Sequence, residues 1–323
     1  MRIKSIAAAL LMAASAALSA AQFPESISIT YVKAPFNLQN IVMKERGMLE
    51  EAFKNENVKI DWRVINSGAQ QGQAMASGDL DFSAVMNTAS LLMAAGAGNP
   101  IAVATGVAHP KGIFAIVGKP GEALSVKDLK GKTVVGPKGT VLHQLLVAAL
   151  KQEGLSVSDV EFVNMDPAAA MTAVVAGKAD AALLAANLIL KANEAGAKTI
   201  VTCDGYVDPN LVMTVRRDFA EQYPEAYDRV VAVNRAALAW IRANKDEALR
   251  IGAKAQGVTV EEAAQLYDGS GFYDTLTDAD IASLEKDQAF LLENGMMQKG
   301  VDVKSLILRS EEHTSELQSR EKI

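Results

Sequence analysis

The feature that most constrains this fold lies in residues 129–166, where a β-rich run, a glycine-bearing turn, an amphipathic segment and a second apolar run follow one another. Lys132-Thr133-Val134-Val135 leads into Gly136-Pro137-Lys138-Gly139-Thr140. Val141, Leu142, Leu145, Leu146, Ala149 and Leu150 then recur at the i, i+3, i+4 spacing of one buried helix face. Gly154 stands where a helix C-cap belongs. Phe162-Val163-Asn164-Met165 ends at Asp166-Pro167, a helix-start pair. This is a βαβ unit. A helix that starts beside Lys138 and Thr140 offers free amides and the positive end of its dipole, and both favour an anion. Gly131-Lys132-Thr133 is not the end of a P-loop. Val126 replaces the earlier glycine that motif needs, and the triplet enters a strand rather than opening a helix.

The chain ends carry separate signals. Arg2 and Lys4 precede an apolar stretch over 6–18, and Ser19-Ala20-Ala21 then precedes Gln22, the pattern of a cleaved secretory signal over residues 1–21. No cysteine follows that stretch, so a soluble periplasmic protein rather than a lipoprotein is expected. Arg-Ser-Glu-Glu-His-Thr-Ser-Glu-Leu-Gln-Ser, starting at Arg309, reads as an in-frame translation of a sequencing adapter. Residues 309–323 are set aside as that artefact or as a disordered polar tail, and His313 with them. The formal net charge of −6 argues against nucleic acid and anionic membrane surfaces as partners. Cys203 is the only cysteine, so no internal disulfide can form, and a buried thiol is expected.

Strand and helix patterns alternate along most of the mature chain. Strands are expected over 27–32, 59–65, 82–85, 101–105, 112–117, 181–184, 199–201 and 211–215. Helices are expected over 38–53, 69–77, 88–95, 168–176 and 187–194. Beyond Arg216 the pattern is almost wholly helical, clearest over 223–244 and 277–293, with Thr277 and Asp280 as cap and N3 residue and a last helix over 303–308. Such alternation predicts an α/β fold with mainly parallel sheets. There is an internal echo. Gly78-Asp79-Leu80-Asp81 precedes one strand and Gly177-Lys178-Ala179-Asp180 another, each after a polar loop and an alanine-rich helix. The glycine suits a helix stop and the aspartate an ordered turn, which points to two lobes of related topology.

Several motifs in order resemble a known family: Asp61-Trp62-Arg63 with Ser67-Gly68-Ala69, Ala76-Ser77-Gly78-Asp79, Leu129-Lys130-Gly131-Lys132-Thr133-Val134 with Pro137-Lys138-Gly139-Thr140, and Val163-Asn164-Met165-Asp166-Pro167. The chain resembles the periplasmic solute-binding proteins of ABC importers, in the nitrate/sulfonate/taurine-binding branch, over residues 24–308. The resemblance implies a periplasmic binding protein type II-like fold, with two α/β lobes joined by two crossing strands near Val117 and Val212. Lobe 1 would comprise 22–117 and 213–308, and lobe 2 would comprise 118–212. It also implies capture of a small organic anion between the lobes, by a monomer that docks on an ABC permease of the inner membrane.

In open α/β sheets ligands bind beyond the carboxyl ends of the strands. That rule selects Phe36 and Asn37 after the first strand, Ser67 and Gly68 after the second, and Asn87 and Thr88 after the third. From the other lobe it selects Lys138, Gly139, Thr140 and Asp166, with His143 one turn into its helix and His109 after another strand. Two helix N-termini facing one cleft would clamp an anion. Most of these residues also have a plain structural role. Asn37, Asn87, Thr140 and Asp166 suit N-caps, Gly68 and Gly139 turn geometry, Lys138 a solvated turn, and Phe36 and the histidines packing. His109 and His143 lack metal-ligand spacing, so neither metal nor cofactor is expected. Two departures from the family pattern stand out. Ala185-Ala186-Asn187 replaces an aromatic and acidic pair, and Met86-Asn87-Thr88-Ala89 replaces a Gly-Ser-Ser-Pro-like loop. This argues against taurine itself and leaves another small organic anion or a different ligand. The expected function is non-catalytic. The alternatives are a ligand-binding sensor, or a pyrimidine-precursor-related binding protein or enzyme.

Overall fold

The computed structural model describes residues 22–34 and 36–308, and the expected leader and tail lie outside them. The chain runs β1 (Ser26–Thr30), α1 (Leu38–Glu45), α2 (Met48–Ala52), β2 (Lys59–Arg63), α3 (Gly68–Ala76), β3 (Phe82–Asn87), α4 (Thr88–Gly96) and β4 (Ile101–Ala108). A second unit follows: β5 (Phe114–Gly118), β6 (Thr133–Gly136), α5 (Val141–Gln152), β7 (Glu161–Asn164), α6 (Pro167–Val175), β8 (Ala181–Ala185), α7 (Asn187–Glu194) and β9 (Lys198–Thr202). The chain then returns through β10 (Leu211–Arg216) to α8 (Arg217–Gln222), α9 (Pro224–Ala243), α10 (Lys245–Gln256), α11 (Val260–Ser270) and α12 (Asp278–Glu293).

Two five-stranded sheets result, ordered β2-β1-β3-β10-β4 and β7-β6-β8-β5-β9. In each, three parallel strands are followed by one antiparallel strand, β10 or β5, contributed across the lobe boundary. Burial differs between the strands. Every residue of β4, β5 and β8 is buried, and these strands are nearly continuous apolar runs, as strands covered on both faces are. The edge strands β2 and β7 are half-buried to exposed and carry Lys59, Asp61, Arg63 and Glu161, charges that discourage pairing with other chains. Among the described residues no helix is long and apolar enough to cross a membrane.

The internal echo has a physical basis in the structure. Gly78 and Gly177 take φ +82 and +68 just after α3 and α6, a left-handed stop that glycine adopts at little cost. Three residues on, each aspartate reaches back to the sheet's middle parallel strand. Asp81 Oδ2 accepts from Ser28 N (2.8 Å) and Ser28 Oγ (2.7 Å), and Asp180 Oδ2 accepts from Thr133 N (3.0 Å). Thr133 opens β6, so Gly131-Lys132-Thr133 does enter a strand.

Several expected boundaries move. The helix expected over 38–53 is broken by Gly47 at φ +60 into α1 and α2. The expected last helix shrinks to a 3₁₀ turn, Lys304–Leu306, because Leu308 N is drawn to Val103 O (3.0 Å) at the edge of the first sheet. The passages between the sheets run through residues 109–113 and 203–210. Val117 lies within β5 and Val212 within β10, each already paired on both sides in its own sheet. The Asp81 bonds yield a test. Asp81→Ala is expected to lower the unfolding free energy by about 1.5–3 kcal/mol, the range for hydrogen bonds to a charged group. Asp81→Asn, which keeps an acceptor, should lose less. Urea denaturation measures both.

Candidate ligand-binding site

A cavity of about 400 Å³ lies between the two sheets. It is built from the loops that leave the parallel strands at their carboxyl ends. The first lobe gives Lys33 and Asn37 after β1, Asn66, Ser67 and Gly68 after β2, and Asn87 at the end of β3. The second gives Pro137 and Thr140 after β6, Asp166 after β7, and Asn187 after β8. Gln256, at the C-terminal end of α10, closes the wall.

The N-termini of α3, α4 and α5 meet here, and those of α6 and α7 lie on the same wall. Asn87 caps α4, accepting from Ser90 N at 2.9 Å, and the same oxygen accepts from Val141 N of α5 at 3.1 Å. One side-chain carbonyl therefore satisfies one first-turn amide in each of two helices from different lobes. Ser90 Oγ crosses the same seam to Gly139 O at 2.8 Å. The start of α3 is held just as close. A Cβ on Gly68 would stand 2.6 Å from Ser90 Oγ and 2.9 Å from Asn87 Nδ2, so only glycine allows the approach. Neither Ser67 nor Thr140 caps its own helix with its side chain, and the Thr140 hydroxyl instead donates to Pro137 O at 2.9 Å.

Of the residues expected from the sequence, the structure brings Asn37, Ser67, Gly68, Asn87, Thr140 and Asp166 to the cavity wall. Asp166 also caps α6, accepting from Ala168 N at 2.9 Å. Phe36, Thr88, His109, Lys138, Gly139 and His143 do not line it. Phe36 is core, packed so tightly on α10 that a Cβ on Gly252 would meet its ring at 2.6 Å. Thr88 turns away to donate to Asp287 Oδ2 at 2.9 Å. His109 stands in the first passage, with Nε2 2.9 Å from Asp280 Oδ1 and its ring stacked on Tyr273. Lys138 is exposed, and its backbone N donates to Asn164 Oδ1 at 2.8 Å. Gly139, at φ +72, shapes the turn behind the wall. His143 is buried against Phe162, ring centroids 4.9 Å apart, and accepts a long bond from Gly139 N at 3.5 Å. Burial, and then Lys138 nearby, lower its pKa to about 4.

Other residues came to light only in the fold. Asp287 of α12 is a half-buried carboxylate that joins the lobes, accepting from Gln144 of α5 at 2.9 Å as well as from Thr88. Burial raises its pKa against the opposing effect of those two bonds. Gln71, Asn187 and Gln256 line the cavity as buried amides. Gln71 and Gln256 carry no local motif. For Asn187 the signals were its place opening a helix after β8 and the departure of Ala185-Ala186-Asn187 from the family pattern. Among the described residues no group of three or more His, Cys, Asp or Glu is placed to hold a metal ion. Cys203 is buried off the cavity, and burial pushes its thiol pKa up.

Two lobes of one topology with a cavity between them define a periplasmic binding protein type II-like fold. The chain belongs to the family described as NMT1/THI5 like, which matches residues 50–248. It is 25% identical to the putative aliphatic sulfonates-binding protein of Escherichia coli (strain K12), over 94% of this chain and 95% of that one. It is 35% identical to the taurine-binding periplasmic protein of the same strain, over 53% and 54% of the two chains. Among solved structures, the alkanesulfonate-binding protein SsuA from Xanthomonas axonopodis pv. citri bound to MOPS superposes with a TM-score of 0.78 at 23% identity, covering 90% of this chain and 100% of that one. The desulfurization enzyme DszB shares the fold more distantly, with a TM-score of 0.62 at 18% identity, covering 88% and 96%.

The neutral burial of His143 sets a pH dependence. In the unfolded chain a histidine takes up its proton near 6.5, whereas the folded one does so only at about 4. The unfolded state therefore binds more protons between those values. The contribution is fully present above pH 6.5 and is lost as pH falls to about 4, a change on the order of 3 kcal/mol. His143→Phe, which keeps the stack on Phe162, is expected to flatten that part of the curve, as read by denaturation midpoints from pH 4 to 7.

Proposed function

We propose that this protein is the extracytoplasmic binding subunit of an ABC importer and that its cavity takes a small organic anion, a sulfonate. The observation that carries the reading is the meeting of the N-termini of α3, α4 and α5 at one cavity, where Ser67 and Thr140 leave their own helices uncapped by a side chain. First-turn amides and aligned dipoles favour a negative head group there. A sulfonate offers three acceptor oxygens, enough to reach more than one N-terminus. Relatives named for binding aliphatic sulfonates and taurine support the choice. The cavity volume lies within the range of small-ligand sites.

In this reading the lobes are residues 22–108 with 211–308, and residues 114–202. The passages at 109–113 and 203–210 act as hinges, and the ligand stabilises the closed form by touching both lobes. A membrane permease then recognises that form. The protein works as a monomer in the periplasm, which agrees with the secretory pattern of residues 1–21. It performs no chemistry. Although DszB shows that the fold can carry an enzyme, no histidine or cysteine among the described residues lines this cavity, which leaves no nucleophile–base pair of those types among them on its wall.

Thermal denaturation tests the reading on protein refolded free of co-purified ligand. An alkanesulfonate at a hundred times its dissociation constant should add about 2.7 kcal/mol of stability. Asn87→Asp places a fixed negative charge where two N-termini meet. It is expected to raise the melting temperature of the ligand-free protein and to weaken sulfonate binding by about tenfold or more. If alkanesulfonates shift nothing while uncharged compounds do, the anion reading is wrong.

A further inference from the structure

Two cavity-lining side chains carry a buried carbonyl with no partner, Oδ1 of Asn187 and Oε1 of Gln256. Both residues are more than nine-tenths buried, at 7% and 5% exposure. Their orientation is fixed by what the other half of each amide does. Asn187 Nδ2 donates to Gln256 O at 3.5 Å, and Gln256 Nε2 donates to Lys33 O. Exchanging oxygen and nitrogen would set carbonyl against carbonyl, so the oxygens stay as the free ends. Gln71, on the same wall, is different. Its nitrogen donates to Ile65 O and its oxygen accepts from Ser83 Oγ, so both ends are used. A buried acceptor left unpaired is costly, and native structures keep few of them without a reason.

The backbone that presents Asn187 is itself held out of its ordinary range. Ala186, between β8 and α7, has φ 48 and ψ −120, and it is one of two non-glycine residues with positive φ among those described. Its N–H is anchored on Ile113 O at 2.8 Å. Strain of this kind persists where the surrounding structure over-determines it, often at ligand sites. The two acceptors also belong to different lobes, Asn187 opening α7 and Gln256 ending α10. A group that satisfies both would favour the closed arrangement.

We infer that Asn187 and Gln256 form a specificity subsite for a neutral hydrogen-bond donor on the ligand's tail, so that the preferred ligand is a hydroxyl-bearing alkanesulfonate rather than an unsubstituted or amino one. This rests on the sulfonate reading of the same cavity. An ammonium group is the poorer match. The polar contacts of the two amides are main-chain carbonyls, with no carboxylate among them to pair a buried charge. Lys33 lines the same wall and would repel a cation, while Asp166, the carboxylate of the cavity, is exposed and engaged with α6.

Isothermal titration of the mature chain with ethanesulfonate, 2-hydroxyethanesulfonate and 2-aminoethanesulfonate, and with their three-carbon counterparts, tests the subsite. The hydroxy compound of at least one chain length should bind about tenfold tighter than both its unsubstituted and its amino counterpart. Asn187→Leu and Gln256→Leu should each cut that preference to about threefold or less. Asn187→Asp, close to isosteric and able to pair a cation, should shift the preference toward the amino compound. Circular dichroism and melting temperature establish that each variant is folded. Binding of the unsubstituted sulfonates without a hydroxyl preference would overturn the subsite alone, as would a preference that survives in all three variants. Failure of every sulfonate to bind would overturn the subsite and the sulfonate reading together.

Discussion

The arrangement of this molecule hangs on one shared acceptor. Asn87 Oδ1 takes the N–H of Ser90 in its own helix and of Val141 in a helix of the other lobe. Helix N-termini carry like partial charge and repel when brought together end to end. A carbonyl oxygen between them offsets that repulsion and satisfies an amide on each side. Ser90 to Gly139, with Thr88 and Gln144 on Asp287, extend the same seam. The lobes therefore meet at the positive ends of two helix dipoles, and the cavity opens beside that point. An anion entering it finds donors already oriented by the backbone, with little left to reorganise.

The returning C-terminal third gives this seam its support. α12 supplies Asp287 at the interface and Asp280 beside His109, while α10 supplies Gly252 against Phe36 and Gln256 on the cavity wall. Asn210 in the second passage accepts from Tyr273 Oη at 2.7 Å, and Tyr273 stacks on His109 in the first. Both passages between the lobes are thus fastened to the same helical layer. Any relative movement of the lobes must be taken up by a few residues on either side of these contacts.

Much of the fold was legible because it depends on local pattern. The apolar face from Val141 to Leu150 marked α5, the Thr277 and Asp280 pair marked the start of α12, and Gly78 and Gly177 marked two helix stops. Less local outcomes were read less well. The last helix gave way to a turn because a partner on β4 competed for Leu308. The candidate site was half legible. Residues placed by strand ends, such as Ser67, Asn87 and Thr140, reached the wall, whereas Phe36 and Thr88 stand beside such ends but point elsewhere. Strand-end position says where a loop lies. It does not say which way each side chain turns.

The sequence by itself determined the alternation of strand and helix, the repeat that makes two lobes of one topology, and the helix starts that favour an anion, since each depends on residues close together along the chain. Tertiary structure decided the rest. It made the Asn87 carbonyl a cap for two helices, buried His143 as a neutral ring, and brought Asn187 and Gln256, 69 positions apart, onto one wall with unpaired oxygens. Those outcomes depend on desolvation and on distances between segments remote in sequence, and neither quantity exists until the chain has folded.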